Sequence, residues 1–161
     1  MSLAADILAK ARAKGVMIAT AESCTGGMVA AALTDIAGSS AIFDRGFVTY
    51  TNAAKMQMLG VTKTSLDAHG AVSEQVAIEM ALGAIAHSAA QISVSITGIA
   101  GPGGSDHKPE GRVCFGVAQA GECLAQTIEF GALGRANVRQ AARDHALQLL
   151  LTTLDSFAPK N

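Results

Sequence analysis

Apolar positions along the chain change their period several times, and each change marks an element. Among residues 3–14, Leu3, Ile7, Leu8 and Ala11 share one helical face with charge elsewhere, and Gly15 supplies the stop of an amphipathic helix. Val16-Met17-Ile18-Ala19 is a short run of buried-strand character that passes directly into Thr20-Ala21-Glu22-Ser23-Cys24-Thr25-Gly26-Gly27. Residues 28–33 are apolar and alanine-rich, so a helix is expected over about 25–36, ended by the polar Ala37-Gly38-Ser39-Ser40. Residues 42–50 read as a strand interrupted by Gly46, which suggests a bulge. Thr51-Asn52 offers an N-cap for a short helix over 53–59 that Gly60 stops, and 61–69 reads as a turn and half-helix.

Ser73 caps a stronger helix over 74–87, with Val76, Met80, Leu82 and Ile85 toward the core. Ile92-Ser93-Val94-Ser95-Ile96 alternates with period two, as a strand does, and runs into Thr97-Gly98-Ile99-Ala100-Gly101-Pro102-Gly103-Gly104. Residues 105–110 are polar and expected to be mobile, and 112–118 with 123–130 read as a β-hairpin around Gln119-Ala120-Gly121-Glu122. Residues 134–157 form a long closing helix with Val138, Ala141, His145, Leu149 and Leu150 near one face. Strands alternating with helices predict an α/β fold, a single three-layer α/β/α sandwich over 1–161 with a mixed, mostly parallel β-sheet. The runs at Ser23 and Thr97 both leave strands at their carboxyl ends, where open α/β folds collect ligands.

Composition narrows the class. The 161 residues suffice for one domain with a sizeable core. Half are hydrophobic but only 4% aromatic, so the interior must be built from Ala, Val, Ile, Leu and Met. A net charge of −1 leaves no basic footprint for nucleic acid. Cys24, Cys114 and Cys123 are odd in number and lack metal-ligand spacing, which suits reduced, mostly buried thiols. The first residues lack a basic leader, and no apolar run is long enough for a bilayer. A cytoplasmic protein with no nucleic-acid or membrane partner, acting on a small molecule, is the expectation. A symmetric dimer is the default assembly.

Serine is inert at neutral pH unless a base takes its proton. Of the four histidines, His87 and His145 fall in helices, His107 in a polar loop and His69 beside Gly70, and no carboxylate is paired with any of them in the pattern. Gly-x-Ser-x-Gly is absent, because the turn reads Ala21-Glu22-Ser23-Cys24-Thr25. Lys55 is a candidate base, since apolar neighbours and a helix start both favour its neutral form. The plain alternative is a surface lysine, a description that fits Lys63 better. Cys24 is an alternative nucleophile, or else a small buried thiol. The whole serine turn also fits a simple capping turn with Ser23 or Thr25 as N-cap. The glycine-rich run at 97–104 matches neither a P-loop nor a dinucleotide fingerprint, although its N–H groups suit an oxyanion or phosphate. No cluster of metal ligands is visible, so neither a metal nor a cofactor is expected.

Thr20-Ala21-Glu22-Ser23-Cys24-Thr25-Gly26-Gly27, Gly46-Phe47-Val48-Thr49-Tyr50, Lys55, Gly70-Ala71-Val72-Ser73-Glu74 and the 97–104 run, taken together, resemble the CinA C-terminal family, the PncC-type nicotinamide-nucleotide amidohydrolases. The likeness extends from the first helix to the last. It implies hydrolysis of the carboxamide of nicotinamide mononucleotide to nicotinate mononucleotide and ammonia, in pyridine nucleotide recycling, by a metal-free serine–lysine mechanism. Carried over by motif, Ser23 is the nucleophile, Lys55 the base and Tyr50 a proton-relay or positioning residue. The oxyanion donors implied are backbone N–H groups of Thr25, Gly26 and Gly27 or of Thr97 and Gly98. Candidate phosphate ligands are the glycine-rich run including Gly101, Ser39, Ser40, Arg45 and Arg139. Two departures stand out. The family often carries an N-terminal molybdopterin-binding-type domain that these residues lack, so its pyrophosphatase activity is not expected. Family members also tend to read Gly-Asp-Arg where this chain has Leu133-Gly134-Arg135. The rival reading is a non-catalytic regulatory module linked to competence or DNA damage, binding a nucleotide or partner in the same cleft. An amidase acting on another small amide is a third.

Overall fold

A computed structural model describes residues 2–158. The elements are α1 (Leu3–Lys14), β1 (Ile18–Glu22), α2 (Met28–Thr34), a 3-10 turn (Ser39–Ala41), β2 (Phe43–Val48), α3 (Asn52–Leu59), α4 (Lys63–His69), α5 (Glu74–Ala86), β3 (Ile92–Gly98), β4 (Arg112–Gln119), β5 (Glu122–Glu129) and α6 (Arg135–Ser156). The sheet order is β2-β1-β3-β4-β5. β1 pairs in parallel with both β2 and β3, while β4 is antiparallel to β3 and β5. Four strands therefore share one direction and β4 alone opposes them, which is the mixed, mostly parallel sheet expected.

Helices cover both faces. Ile18, Ile92, Val94, Ile96, Val113, Phe115 and Val117 pack under α1, α2 and α6, whose Ile7, Val29, Leu33, Val138, Leu150 and Leu154 are buried against them. On the opposite face Ala19 and Ala21 meet Leu59, Val61, Leu66, Val76, Met80 and Ala84 from the α3–α5 layer. The period-two alternation of β3 explains the division: its isoleucines and valine face α6, and its hydroxyls face α5. Ser93 and Ser95 donate to the Ala81 and Ala77 carbonyls of α5 at 2.7 and 2.6 Å, using lone pairs that the helix ladder leaves available. Gly116 of β4 lies so near this helix that an added Cβ would sit 2.6 Å from the Ala77 oxygen.

Local expectations hold in kind and shift in detail. α2 is shorter than the pattern suggests at both ends, and it starts late because Gly26 and Gly27 have positive φ and stay outside the helix. Neither Ser23 nor Thr25 caps it. The Glu22 carboxylate does, accepting from the Val29 and Ala30 N–H groups at 2.9 and 3.1 Å. The irregularity in β2 lies at Asp44 and not at Gly46, where register is regular. Gly46 is small for another reason: a Cβ there would meet the Thr20 hydroxyl at 2.7 Å. Residues 63–69 form a complete short helix, α4, capped by Thr62. Leu82 is exposed, and the buried stripe of α6 is Val138, Ala142, Ala146, Leu150 and Leu154, one position round from Ala141, His145 and Leu149. Residues 105–108 are held by reciprocal backbone hydrogen bonds between Ser105 and Lys108.

The chain leaves β1 for β2 on one side over α2, then returns to β3 on the other side under α3–α5. β1 is thus the strand at which the winding reverses, and the crevice beyond its carboxyl end is where an open sheet offers a ligand site.

Candidate active site

Ser23 is the first residue beyond β1, so its place is set by the strand at the reversal point. Its N–H is fixed to the Ile96 carbonyl at 2.9 Å. Beyond β2 the chain passes Thr49 and Tyr50, and Thr51 caps α3 through its side chain. Lys55 lies on the first full turn of α3 and points back under the turn, only 1% exposed. Its Nζ donates to Ser23 Oγ at 3.0 Å and to the Thr49 carbonyl at 2.9 Å, with the Tyr50 carbonyl at 3.4 Å. No carboxylate accepts from this amine among the described residues. Burial therefore pulls its pKa down from 10.5 to about 8. At neutral pH roughly a tenth of the molecules hold a free-base amine against the serine hydroxyl.

Cys24, next to the serine, is pushed the other way. Burial raises its thiol to about 11, against weaker opposing effects from its own backbone N–H and Arg139. A thiol so raised stays protonated near neutral pH, so Cys24 is a buried neighbour of Ser23 and a poor nucleophile. None of the four histidines borders the cleft. His145 of α6 instead packs at a tilt against Phe115 of β4, with ring centroids 4.6 Å apart.

Ser23 and Lys55 open into a cleft of about 360 Å³. Its walls are the Ala71-Val72 turn, the 97–106 run, Tyr50 and Asn52, and Arg135 at the start of α6. The glycine-rich wall is tied down from behind. Lys108 Nζ donates to the His69 and Val72 carbonyls, both at 2.6 Å, and Glu110 accepts from the Gly103 N–H at 2.6 Å and the Gly134 N–H at 3.3 Å. Arg135 spans the mouth, donating to the Gly101 carbonyl and to the Tyr50 hydroxyl, both at 2.7 Å.

The structure brings together Ser23, Lys55, Thr97, Gly98 and Gly101 at this cleft. Tyr50 also borders it but lies past the end of β2, 57% exposed, and its hydroxyl meets Arg135 rather than Lys55 or Ser23. Ser39 and Ser40 sit in the 3-10 turn that feeds the amino end of β2, at the opposite end of the parallel strands from the cleft. Arg45 is occupied by Asp44 and the His87 carbonyl, also far from the carboxyl ends. Thr25 is turned inward, its hydroxyl donating to Glu22 at 2.6 Å. Arg139 faces the back of the serine turn, donating to the Cys24 and Thr25 carbonyls. Ser39, Ser40 and Arg45 are therefore not ligands of this cleft, because phosphate-binding chemistry alone carries no information about which end of a strand a residue occupies. Arg135, overlooked among those candidates, is the arginine that borders it. Its place at the first turn of the last helix was no signal by itself, because only the fold brings that helix end to the glycine-rich loop.

Residues 1–154 match the CinA C-terminal domain. The chain belongs to that family. It is 52% identical over 152 residues to a protein named nicotinamide-nucleotide amidohydrolase PncC from Escherichia coli K12, covering 93% of this chain and 92% of that one. The same name is carried by a relative from Enterobacter agglomerans, 52% identical over 92% of each chain. Other CinA-family relatives are longer: a putative competence-damage inducible protein of Symbiobacterium thermophilum is 47% identical over 85% of this chain but only 34% of its own length. Among solved structures, a competence/damage inducible protein from Agrobacterium tumefaciens superposes with a TM-score of 0.92 at 49% identity, covering 96% of this chain and 94% of that one. No helix among the described residues is long and apolar enough to cross a membrane.

Proposed function

We propose that this chain is a nicotinamide-nucleotide amidase that converts nicotinamide mononucleotide to nicotinate mononucleotide and ammonia through Ser23 and Lys55. The observation that carries this reading is the buried amine of Lys55, 3.0 Å from Ser23 Oγ and lowered to about 8 by desolvation. A nucleotide-binding module has no need to bury an uncompensated lysine against a serine. A general base does, because its pKa must approach the working pH.

The reaction follows from these two groups. Neutral Lys55 takes the Ser23 proton as Oγ attacks the carboxamide carbon, and the carbonyl oxygen becomes an oxyanion held by backbone N–H groups. The C–N bond then breaks, the departing nitrogen takes the proton from Lys55, and ammonia leaves an acyl ester on Ser23. Water, deprotonated by the same amine, attacks that ester and releases the carboxylate product, and Lys55 returns the proton to Ser23. The substrate's phosphate is assigned to Arg135 and the N–H groups of the 97–104 run, which form the far wall of the cleft. Tyr50 acts by holding the Arg135 guanidinium at the mouth.

The test is ammonia release from nicotinamide mononucleotide by the wild type, Ser23→Ala and Lys55→Ala. Release by the wild type and its loss in both variants is the expected result. Equal release by all three overturns the residue assignment. A folded wild type that binds the nucleotide without releasing ammonia favours the regulatory module suggested by the competence-related names of several relatives.

A further inference from the structure

Arg139 was a plausible phosphate ligand in the sequence, yet its guanidinium is directed at backbone. Nε donates to the Cys24 carbonyl at 2.9 Å, and the second terminal nitrogen lies 3.4 Å from the Thr25 carbonyl. Gly26 makes this approach possible, since a Cβ there would stand 3.3 Å from the same nitrogen. From the other side, the Glu22 carboxylate holds the Thr25 hydroxyl at 2.6 Å. The turn after the nucleophile is thus gripped by two opposite charges on its two sides.

That grip decides where the turn's donors point. A trans peptide sets its N–H opposite its C=O, so fixing the Cys24 carbonyl on Arg139 turns the Thr25 N–H away from α6. Three other donors of the turn are committed, Ser23 N–H to Ile96, Gly26 N–H to Ser23 and Met28 N–H to Thr25, while Gly27 N–H is without an acceptor among the described residues but lies four residues beyond the nucleophile. The N–H groups of Cys24 and Thr25 have no acceptor in another residue among those described, the Cys24 N–H meeting only its own thiol, and they directly follow the nucleophile. We infer that Arg139 is a positioning residue that builds the oxyanion hole: it orients and polarises the Cys24–Thr25 peptide so that the Thr25 N–H, beside the Cys24 N–H of the preceding peptide that Gly26 fixes through the Ser23 carbonyl, meets the charge that develops on the substrate carbonyl oxygen. The inference rests on the serine–lysine reading above, and of the donors considered for it keeps the Thr25 N–H and adds that of Cys24. It places them on the serine turn and not on the 97–98 segment.

The role belongs to the transition state, so its loss is read in kcat. Arg139→Lys and Arg139→Ala are to be assayed for ammonia release from nicotinamide mononucleotide, with and without added guanidinium ion at concentrations below those that unfold the protein. The expected result is a fall in kcat of about 10²-fold or more for Arg139→Ala with KM changed by less than about threefold. Arg139→Lys, which keeps the charge but not the fork, is expected to fall between, and guanidinium is expected to restore part of the Arg139→Ala rate. A purely structural role would lower the melting temperature without guanidinium rescue of kcat, and that outcome overturns the inference. A raised KM at unchanged kcat also overturns it and returns Arg139 to substrate binding. Ser23→Ala in the same assay keeps the two readings apart. If it stays active, the serine mechanism has failed. If it is inactive while both Arg139 variants behave as wild type, only the positioning role has failed.

Discussion

Lys55 is the base in the proposed reaction, and its environment makes a pH prediction with a definite sign. Burial lowers its pKa to about 8, so the free-base fraction grows as pH rises toward and past that value. The kcat/KM for nicotinamide mononucleotide is expected to climb about tenfold per pH unit below pH 8 and to level off above it. Lys55→Arg keeps a cation at the position but cannot deprotonate near neutral pH, so a fall of about 10³-fold or more in kcat is expected, with no rising limb at pH 8. A flat wild-type profile between pH 6 and 9 would remove Lys55 as the base. The pair itself was legible in the chain: a serine at a strand exit and a lysine among apolar neighbours at a helix start both announce an unusual environment. Arg135 carried no such mark, since an exposed arginine at a helix start looks like any other until the fold brings that helix end beside the glycine-rich loop.

The packing of α5 on the sheet belongs to the scale of elements. Its closeness rests on small residues opposite carbonyl groups: Gly116 beneath Ala77, Ser93 and Ser95 donating upward, and Gly83 against the Leu59 carbonyl of α3. Gly116→Ala forces the helix away from the strand, and overpacking of this kind costs about 1–3 kcal/mol, measured as a shift in the urea midpoint. Ser93→Ala removes one donor from a carbonyl that α5 itself also satisfies, so its cost is expected at about 1 kcal/mol or less. If Ser93→Ala proves more damaging than Gly116→Ala, close approach is not what holds this layer. Element identity and order were readable because hydrophobic period and glycine stops are local signals. The boundaries of α2 and the cap of that helix were not, because Glu22 reaches its N–H groups from the preceding strand and no local pattern distinguishes that from a serine or threonine cap. The same limit applies to α6, where Val138 and Leu150 were placed correctly but Ala141 and His145 were expected in place of Ala142 and Ala146. Alanine-rich faces leave the direction of the buried stripe to tertiary contact.

Across the whole molecule the site has an energetic cost that should be visible in stability. A lysine whose pKa is about 8 when folded and 10.5 when unfolded binds fewer protons in the folded state throughout that interval. Stability therefore rises with pH between about 8 and 10.5, does not vary with pH through this group below the interval, where both states are charged, and above it the desolvation cost is fully relieved. At pH 7 the buried charge is present in most folded molecules, so Lys55→Met is expected to be more stable than the wild type by about 1–3 kcal/mol while losing activity. The lower end of that range allows for the Thr49 carbonyl and Ser23 hydroxyl that would lose a donor. Denaturant titrations of both proteins from pH 6.5 to 10.5 check the sign directly, since other titrating groups cancel in the difference. The gap between Lys55→Met and wild type should be widest at or below pH 7 and close steadily as pH passes 8. A gap that widens with pH would mean that the folded protein stabilises the ammonium form, and then Lys55 would be an electrostatic anchor and not a base.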